Sequence, residues 1–233
     1  MPHSRAVVFD LFETLVTEFD PHWRPVASPA SQLGVPDVIF NDVWRSRKAD
    51  RMTATVDFRE ILREACRAAD LVIDQRVDKI IESLHVQRLA AKAKPFLAVD
   101  RRVLAMLARL RTEGFKLGVL SNCAVEEVAA WPDSPLASWF DDVVFSYQVG
   151  FAKPDPRIYG RVCDGLGVTA DRVTFVGDGG SDELAGARRA GMTPYRARWF
   201  LDQWPQQYRD HQVERQRGFP ALLSPDELLE RLD

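Results

Sequence analysis

Short runs of apolar and β-branched residues alternate along this chain with segments in which apolar positions recur every three or four residues. The runs cover 5–9, 116–120, 142–145, 172–176 and 193–196, and each is short and β-prone enough to predict a strand. Between them, Val103, Leu104, Leu107 and Leu110 carry a helical spacing across 100–111, which Gly114 ends. The segment 156–166 opens on Pro156 and stops at Gly167, the asymmetry of a helix with proline in its first turn and glycine after its last. A third helix is predicted from Ser181, as N-cap, to Gly191, with Asp182 and Glu183 where the helix dipole favours acids. Strand, helix, strand in repetition is the pattern of a parallel sheet with crossover helices.

The interval 16–95 departs from that rhythm, because it holds almost no strand signal. Helical spacing marks 38–52, 57–69 and 75–93, as in Phe58, Ile61, Leu62 and Ala65, or Val77, Ile80, Ile81 and Leu84. The reading is an α/β core formed by 1–15 and 96–233, with a helical cap of 16–95 inserted after the first strand. A second departure is 199–218, where Trp204 and Tyr208 stand among polar residues; it reads as a surface loop. No internal repeat or low-complexity tract is present.

Composition narrows the class. With 46% hydrophobic and 28% charged residues in 233, disordered and collagen-like classes are excluded, and the length suits one domain carrying a smaller insert. Lys and Arg number 31 against 34 Asp and Glu, a net charge of −3, so nothing draws the whole surface toward nucleic acid or an anionic membrane, and an anion-binding site has to be local. No run approaches the roughly 18 apolar residues of a membrane helix, and the apolar run after Met-Pro-His-Ser-Arg is too short for a signal peptide. A cytoplasmic protein is expected, monomer or homodimer, with no nucleic-acid or membrane partner. Cys66, Cys123 and Cys163 are widely spaced without a C-x-x-C pair, which reads as reduced, buried thiols.

Ligands of open parallel sheets sit beyond the carboxyl ends of the strands, and four polar clusters fall there. They are Asp10-Leu11-Phe12-Glu13-Thr14, Ser121-Asn122, Lys153-Pro154-Asp155, and Gly177-Asp178-Gly179-Gly180-Ser181-Asp182. Singly, each is an ordinary turn or helix cap. Together, in order and at matching strand ends, they supply a carboxylate nucleophile, hydroxyl donors, an amine and further acids.

This set resembles the haloacid dehalogenase superfamily of hydrolases. Asp10 with Thr14 is similar to its first motif, Ser121 to the second, Lys153 in Lys-Pro-Asp-Pro-Arg-Ile-Tyr to the third, and Gly177-Asp178 with Asp182 to the fourth. The resemblance implies a Rossmann-like parallel sheet with an α-helical cap. It also implies that Asp10 is a nucleophile forming a covalent ester that water later hydrolyses. Thr14, Ser121 and Asn122 are implied to hold the carboxylate and the substrate oxygens, and Lys153 to neutralise charge beside the nucleophile. Mg²⁺ would be held by Asp10, Asp178 and the backbone carbonyl of Phe12, oxygen donors that suit a hard cation, with Asp182 orienting Lys153 or a metal-bound water.

Two features pull in opposite directions on the reaction. Phosphatases of the superfamily usually carry a second Asp where this chain has Phe12, and losing a general acid typically costs roughly 10² to 10⁴ in rate; a halide leaves without a proton, so Phe12 favours a metal-independent 2-haloacid dehalogenase. The fourth motif argues otherwise. Asp10, Asp178 and Asp182 against Lys153 leave a formal charge of −2 that would repel either anionic substrate, and Mg²⁺ would cancel it. Mg²⁺-dependent hydrolysis of a small-molecule phosphate ester is therefore ranked first, the dehalogenase second, and a non-catalytic phosphate-binding or regulatory protein third. Glu13 is a candidate replacement acid, though adjacent side chains in an extended turn point apart. In the cap, Trp44, Lys48 and Arg51, with Arg45 and Arg47 nearby, read as a solvated basic face that is also placed to clamp a second anion. His22 and Trp23 read as hinge packing.

Overall fold

The structure, a computed structural model, describes residues 5–22, 26–206 and 218–232; Trp23 and Tyr208 lie outside them. Six strands form one all-parallel sheet: β1 (Ala6–Phe9), β2 (Lys116–Ser121), β3 (Asp142–Phe145), β4 (Val173–Gly177), β5 (Thr193–Ala197) and β6 (Ala221–Leu222), in the order β3-β2-β1-β4-β5-β6. The central strand β1 is buried along its whole length, as parallel strands covered on both faces are. Its residues alternate: Val7 and Phe9 pack with Met106, Leu107, Leu110 and Leu228 on one face, Ala6 and Val8 with Ile158, Val162, Phe175 and Leu184 on the other.

Between β1 and β2 lies a helical insert: α1 (Pro29–Leu33), α2 (Asp37–Ser46), α3 (Lys48–Thr53), α4 (Phe58–Ala68), α5 (Gln75–Leu97) and α6 (Arg101–Thr112). Asp57, Asp74 and Asp100 cap α4, α5 and α6 by accepting from backbone N–H groups of the first turn. Leu33, Phe58, Leu62, Ala65, Ile81 and Leu84 form a hydrophobic core separate from the two sheet faces, whereas α6 packs on the sheet. The single helix expected across 38–52 breaks at Arg47, whose guanidinium binds Asp50 (2.7 Å) and Glu64 (3.4 Å). The break turns α3 onto the core helix α7 (Ser146–Val149).

Among the described residues the remaining helices are α8 (Pro156–Leu166), α9 (Glu183–Arg189) and α10 (Pro225–Leu232). In α8, Asp155 caps, Pro156 opens and Gly167, at φ 62°, closes. In α9 the expected N-cap at Ser181 is not formed. Ser181 and Asp182 both adopt left-handed backbone, φ 53° and 52°, within the short turn Gly180–Asp182, and the helix starts at Glu183. Nor is 199–203 a surface loop: Trp199, Phe200 and Leu201 are buried, and the Trp199 indole donates to the carbonyl of Thr14 at 2.9 Å.

Candidate active site

Where β1 ends, Asp10 donates its N–H to Val176 of β4 (2.8 Å) and the chain turns back on itself, with Leu15 and Val16 both donating to the carbonyl of Leu11. That turn buries Asp10 and Thr14 at the carboxyl edge of the sheet. Glu13 stands inside it at φ 58°, a conformation that costs a non-glycine residue on the order of 1–2 kcal/mol. Three donors hold it: Glu18 N–H to Oε1 (2.8 Å), and Thr17 Oγ1 (2.7 Å) and the Trp204 indole (2.8 Å) to Oε2. Burial pushes its carboxyl up, against the pull of those donors. Glu13 thus braces the nucleophile loop against the chain after β5.

The Lys153 ammonium lies 2.5 Å from Asp10 Oδ1 and 2.5 Å from Glu183 Oε2, with its side chain 2% exposed. Burial alone would lower its pKa, but the carboxylates of Asp10 and Glu183 outweigh that and hold it above the usual lysine range. Asn122, next to the end of β2, fixes the backbone of Lys153 from both sides: Lys153 N–H donates to Asn122 Oδ1 (2.7 Å), and Asn122 Nδ2 donates to the Lys153 carbonyl (2.9 Å). Its amide is therefore engaged with the third motif rather than turned toward a ligand. Ser121 Oγ and Thr14 Oγ1 are buried with no hydrogen-bond partner.

The carboxylate expected from Asp182 comes from Glu183 instead. Asp182 is exposed, and Glu183, one residue on, is the first residue of α9 and fully engaged. Its Oε1 accepts the Gly179 N–H (2.9 Å), its Oε2 accepts Lys153, and its carbonyl accepts the Tyr159 hydroxyl (2.9 Å). The two glycines that make room are identifiable: a Cβ on Gly177 would lie 2.2 Å from Glu183 Oε1, and one on Gly186 2.3 Å from the Tyr159 hydroxyl. Helical spacing from the buried Leu184 and Ala187 puts Glu183, at i−4 from Ala187, on the inner face, the signal that distinguishes it from Asp182.

Asp178 completes the cluster, with Oδ1 accepting the Gly180 N–H at 2.8 Å. Carboxylate oxygens of Asp10, Asp178 and Glu183 all lie within 4.8 Å of one another. Burial, and then the negative charge of Asp10, raise the pKa of both Asp178 and Glu183. Three buried carboxylates face one buried ammonium, a formal charge of −2 that the nearby guanidinium of Arg196 reduces to −1. Arg196, buried at the end of β5, donates Nε to the main-chain carbonyl of Asp178 (3.3 Å) and so steadies the loop; nothing in the pattern of motifs marked it. The charge imbalance and the two partnerless hydroxyls fit a site that takes a cation and an anionic group.

Phe12 is half-buried, with its ring edge-on to Phe96 at 6.3 Å and 5.7 Å from the Lys92 ammonium. No acid occupies that position, and Glu13 is turned away into its brace.

Residues 4–191 match the haloacid dehalogenase-like hydrolase family. The chain is 29% identical over 199 residues to (S)-2-haloacid dehalogenase 4A of Burkholderia cepacia, covering 82% of each. It is 37% identical over 97 residues to glyceraldehyde 3-phosphate phosphatase of Methanopyrus kandleri, covering 41% of this chain and only 42% of that one. A 2-haloacid dehalogenase from Pseudomonas syringae has the same fold, with a TM-score of 0.66 at 21% identity over 98% of both chains. Phosphatases and dehalogenases thus stand at similar remove, while the family match spans most of the sequence and both halves of the acidic site: this chain belongs to the haloacid dehalogenase-like hydrolases.

Proposed function

We propose that the chain is a phosphatase, hydrolysing phosphate esters of small molecules with Mg²⁺ through a covalent ester on Asp10. The observation that carries this reading is the charge of the site. Asp10, Asp178 and Glu183 converge, with the Lys153 ammonium paired to Asp10 and Glu183, and an anionic substrate meets a net repulsion there unless a cation is added. Asp10, Asp178 and the carbonyl of Phe12 would hold Mg²⁺, since Glu183 is already engaged by Lys153 and Gly179. Bound there, the metal supplies electrophilic stabilisation to the phosphoryl oxygens.

The residues of the chain divide the remaining work. Asp10, whose Oδ1 also accepts Lys153, attacks phosphorus through a carboxylate oxygen as the bond from phosphorus to the ester oxygen breaks and that oxygen leaves with the electron pair. The hydroxyls of Thr14 and Ser121 donate to the phosphoryl oxygens. Glu183, fixed by Tyr159 and Gly179, keeps Lys153 charged and in place. Water then cleaves the aspartyl phosphate and frees inorganic phosphate.

Phe12 favours the second reading, a metal-independent 2-haloacid dehalogenase, because halide departs without an acid. A panel of phosphate monoesters and 2-haloacids, each assayed with Mg²⁺ and with EDTA, separates the two. Ester turnover abolished by EDTA supports the phosphatase. Haloacid turnover indifferent to EDTA reverses the order.

A further inference from the structure

The insert holds a second cation that no part of the proposed chemistry uses. Arg51, on α3, is 5% exposed. Its guanidinium stacks on the Trp44 ring at 3.5 Å, its Nε is buried without a hydrogen-bond partner, and it joins no ion pair among the described residues. Its neighbours on the basic face differ: Lys48 is exposed, Arg45 points to solvent beside Asp42, and Arg47 is taken up by Asp50 and Glu64. A buried guanidinium carries a desolvation cost that a carboxylate normally offsets, so an unpaired one needs an explanation.

The surroundings of Arg51 locate it at the seam of insert and core. Helix α3 lies on α7, and α5 lies on the turn Val125–Glu127 that follows Ser121 and Asn122. Across this seam Arg88 binds Glu126 (2.7 Å) and Glu127 (3.2 Å), and Lys92 binds Glu127 (3.2 Å) while its ammonium approaches Phe12. Lys92 also binds Glu18 (2.6 Å), so Arg88 and Lys92 meet three carboxylates there. Arg51 lies near this cluster without an ion pair of its own to any of the three, and burial lowers its pKa against the pull of Glu127 and Glu126.

We propose that Arg51, backed by Trp44, is the subsite for a second oxyanion on the substrate, a carboxylate or a second phosphate at the end remote from the phosphoryl group that Asp10 attacks. The planar guanidinium presents paired donors to such a group, and the indole beneath it fixes its orientation while excluding water. This rests on the phosphatase reading for the group at Asp10, and it adds the substrate class: small phosphate esters with two anionic ends.

The test compares phosphate monoesters of short hydroxy acids with their carboxamides, which share the leaving group, and with the matching diol bisphosphates. The wild type should prefer the two-anion esters, and Arg51→Met should reduce that preference in kcat/KM by about 10- to 100-fold, the range of a hydrogen bond to a charged group. Arg51→Lys, keeping the charge without the fork, should reduce it less and serves if Arg51→Met does not fold. Carboxylate and bisphosphate arms identify which oxyanion is taken. A preference unchanged in either folded variant overturns the inference and leaves the phosphatase reading standing, Arg51 then serving only to balance Glu126. If no ester is hydrolysed with Mg²⁺, the phosphatase reading falls by itself, and malonate against acetate decides on Arg51: greater thermal stabilisation by malonate, lost in Arg51→Met, upholds the subsite, and equal stabilisation removes it.

Discussion

Lys153 reaches Glu183, not Asp182: the ammonium lies 2.5 Å from a carboxylate whose side chain is 1% exposed, while the acid one residue earlier faces solvent. Because Glu183 anchors the amine that contacts Asp10, Glu183→Ala is expected to lower kcat by on the order of 10²-fold, the effect of small misplacements in an active site. Asp182→Asn, which keeps a side chain tolerant of left-handed backbone, is expected to leave kcat unchanged. Gly177→Ala should behave like Glu183→Ala, since its Cβ would occupy the place of Glu183 Oε1. Steady-state kinetics on one substrate decides all three, and an inactive Asp182→Asn with an active Glu183→Ala would return the role to Asp182.

The same pair sets a stability prediction. Removing the amine in Lys153→Met leaves the buried carboxylates of Asp10 and Glu183 without their shared partner, beside Asp178, and breaking a buried pair in this way costs about 3–5 kcal/mol. Saturating Mg²⁺ should return part of that loss, as a ligand that binds only the folded state does. In Asp178→Asn the response to Mg²⁺ should shrink. Urea unfolding with and without Mg²⁺ gives all of these values; a wild type whose midpoint ignores Mg²⁺ argues against a metal at this site.

Glu13 offers a test independent of catalysis. Its carboxylate satisfies three donors and holds a left-handed residue in the nucleophile loop, so Glu13→Ala should destabilise by about 2 kcal/mol, chiefly through the part-buried donors of Thr17 and Trp204 left unpaired. Trp204→Phe, which removes one donor, should cost about 1 kcal/mol. Thermal unfolding measures both, and a neutral Glu13→Ala would show that the brace contributes nothing.

The alternation of strand runs and helical spacings was enough to read five of the six strands and the order of the crossover helices, because a two-sided parallel sheet writes its period directly into residues such as Val7, Val8 and Phe9. Strand β6 escaped, since Ala221 and Leu222 are too few to show a period. The break at Arg47 escaped because ion pairs to Asp50 and Glu64, not proline or glycine, redirect the chain there. The placement of Asp10, Ser121 and Asp178 at the ends of β1, β2 and β4 could be read from local sequence, whereas Lys153 follows β3 only after the helix α7. Glu183 could not be told from Asp182 by motif spacing, because two consecutive left-handed residues, Ser181 and Asp182, shift the start of α9. The docking of Trp199 and Trp204 on the nucleophile loop joins positions far apart in the chain and has no local signature.

A covalent intermediate is expected on Asp10. Asp10→Asn should abolish turnover, and rapid acid quenching of the wild type with an aryl phosphate should leave a phosphoryl adduct on the peptide containing Asp10. An Asp10→Asn protein that turns over at the wild-type rate, with Asn verified by mass, removes the nucleophile from the mechanism.

The last prediction concerns the missing acid. Phe12 packs edge-on against Phe96 at the position where an acid would protonate the leaving oxygen, and Glu13 is engaged elsewhere. Rates should therefore fall steeply as the leaving alcohol becomes less acidic, because an alkoxide must depart without a proton while a nitrophenolate needs little help. Glu13→Gln should leave that slope unchanged. Phe12→Asp should flatten it by raising alkyl turnover more than aryl turnover, up to roughly 10²-fold. Lys92 complicates the result in a definite direction: its ammonium, 5.7 Å from the Phe12 ring, would hold a new carboxylate ionised and make it a poor acid. The double variant Phe12→Asp with Lys92→Met should accordingly flatten the slope further than Phe12→Asp alone. A wild type whose rate barely depends on the leaving group would mean that a proton already reaches it, and that the acid is supplied by the insert or by the substrate itself.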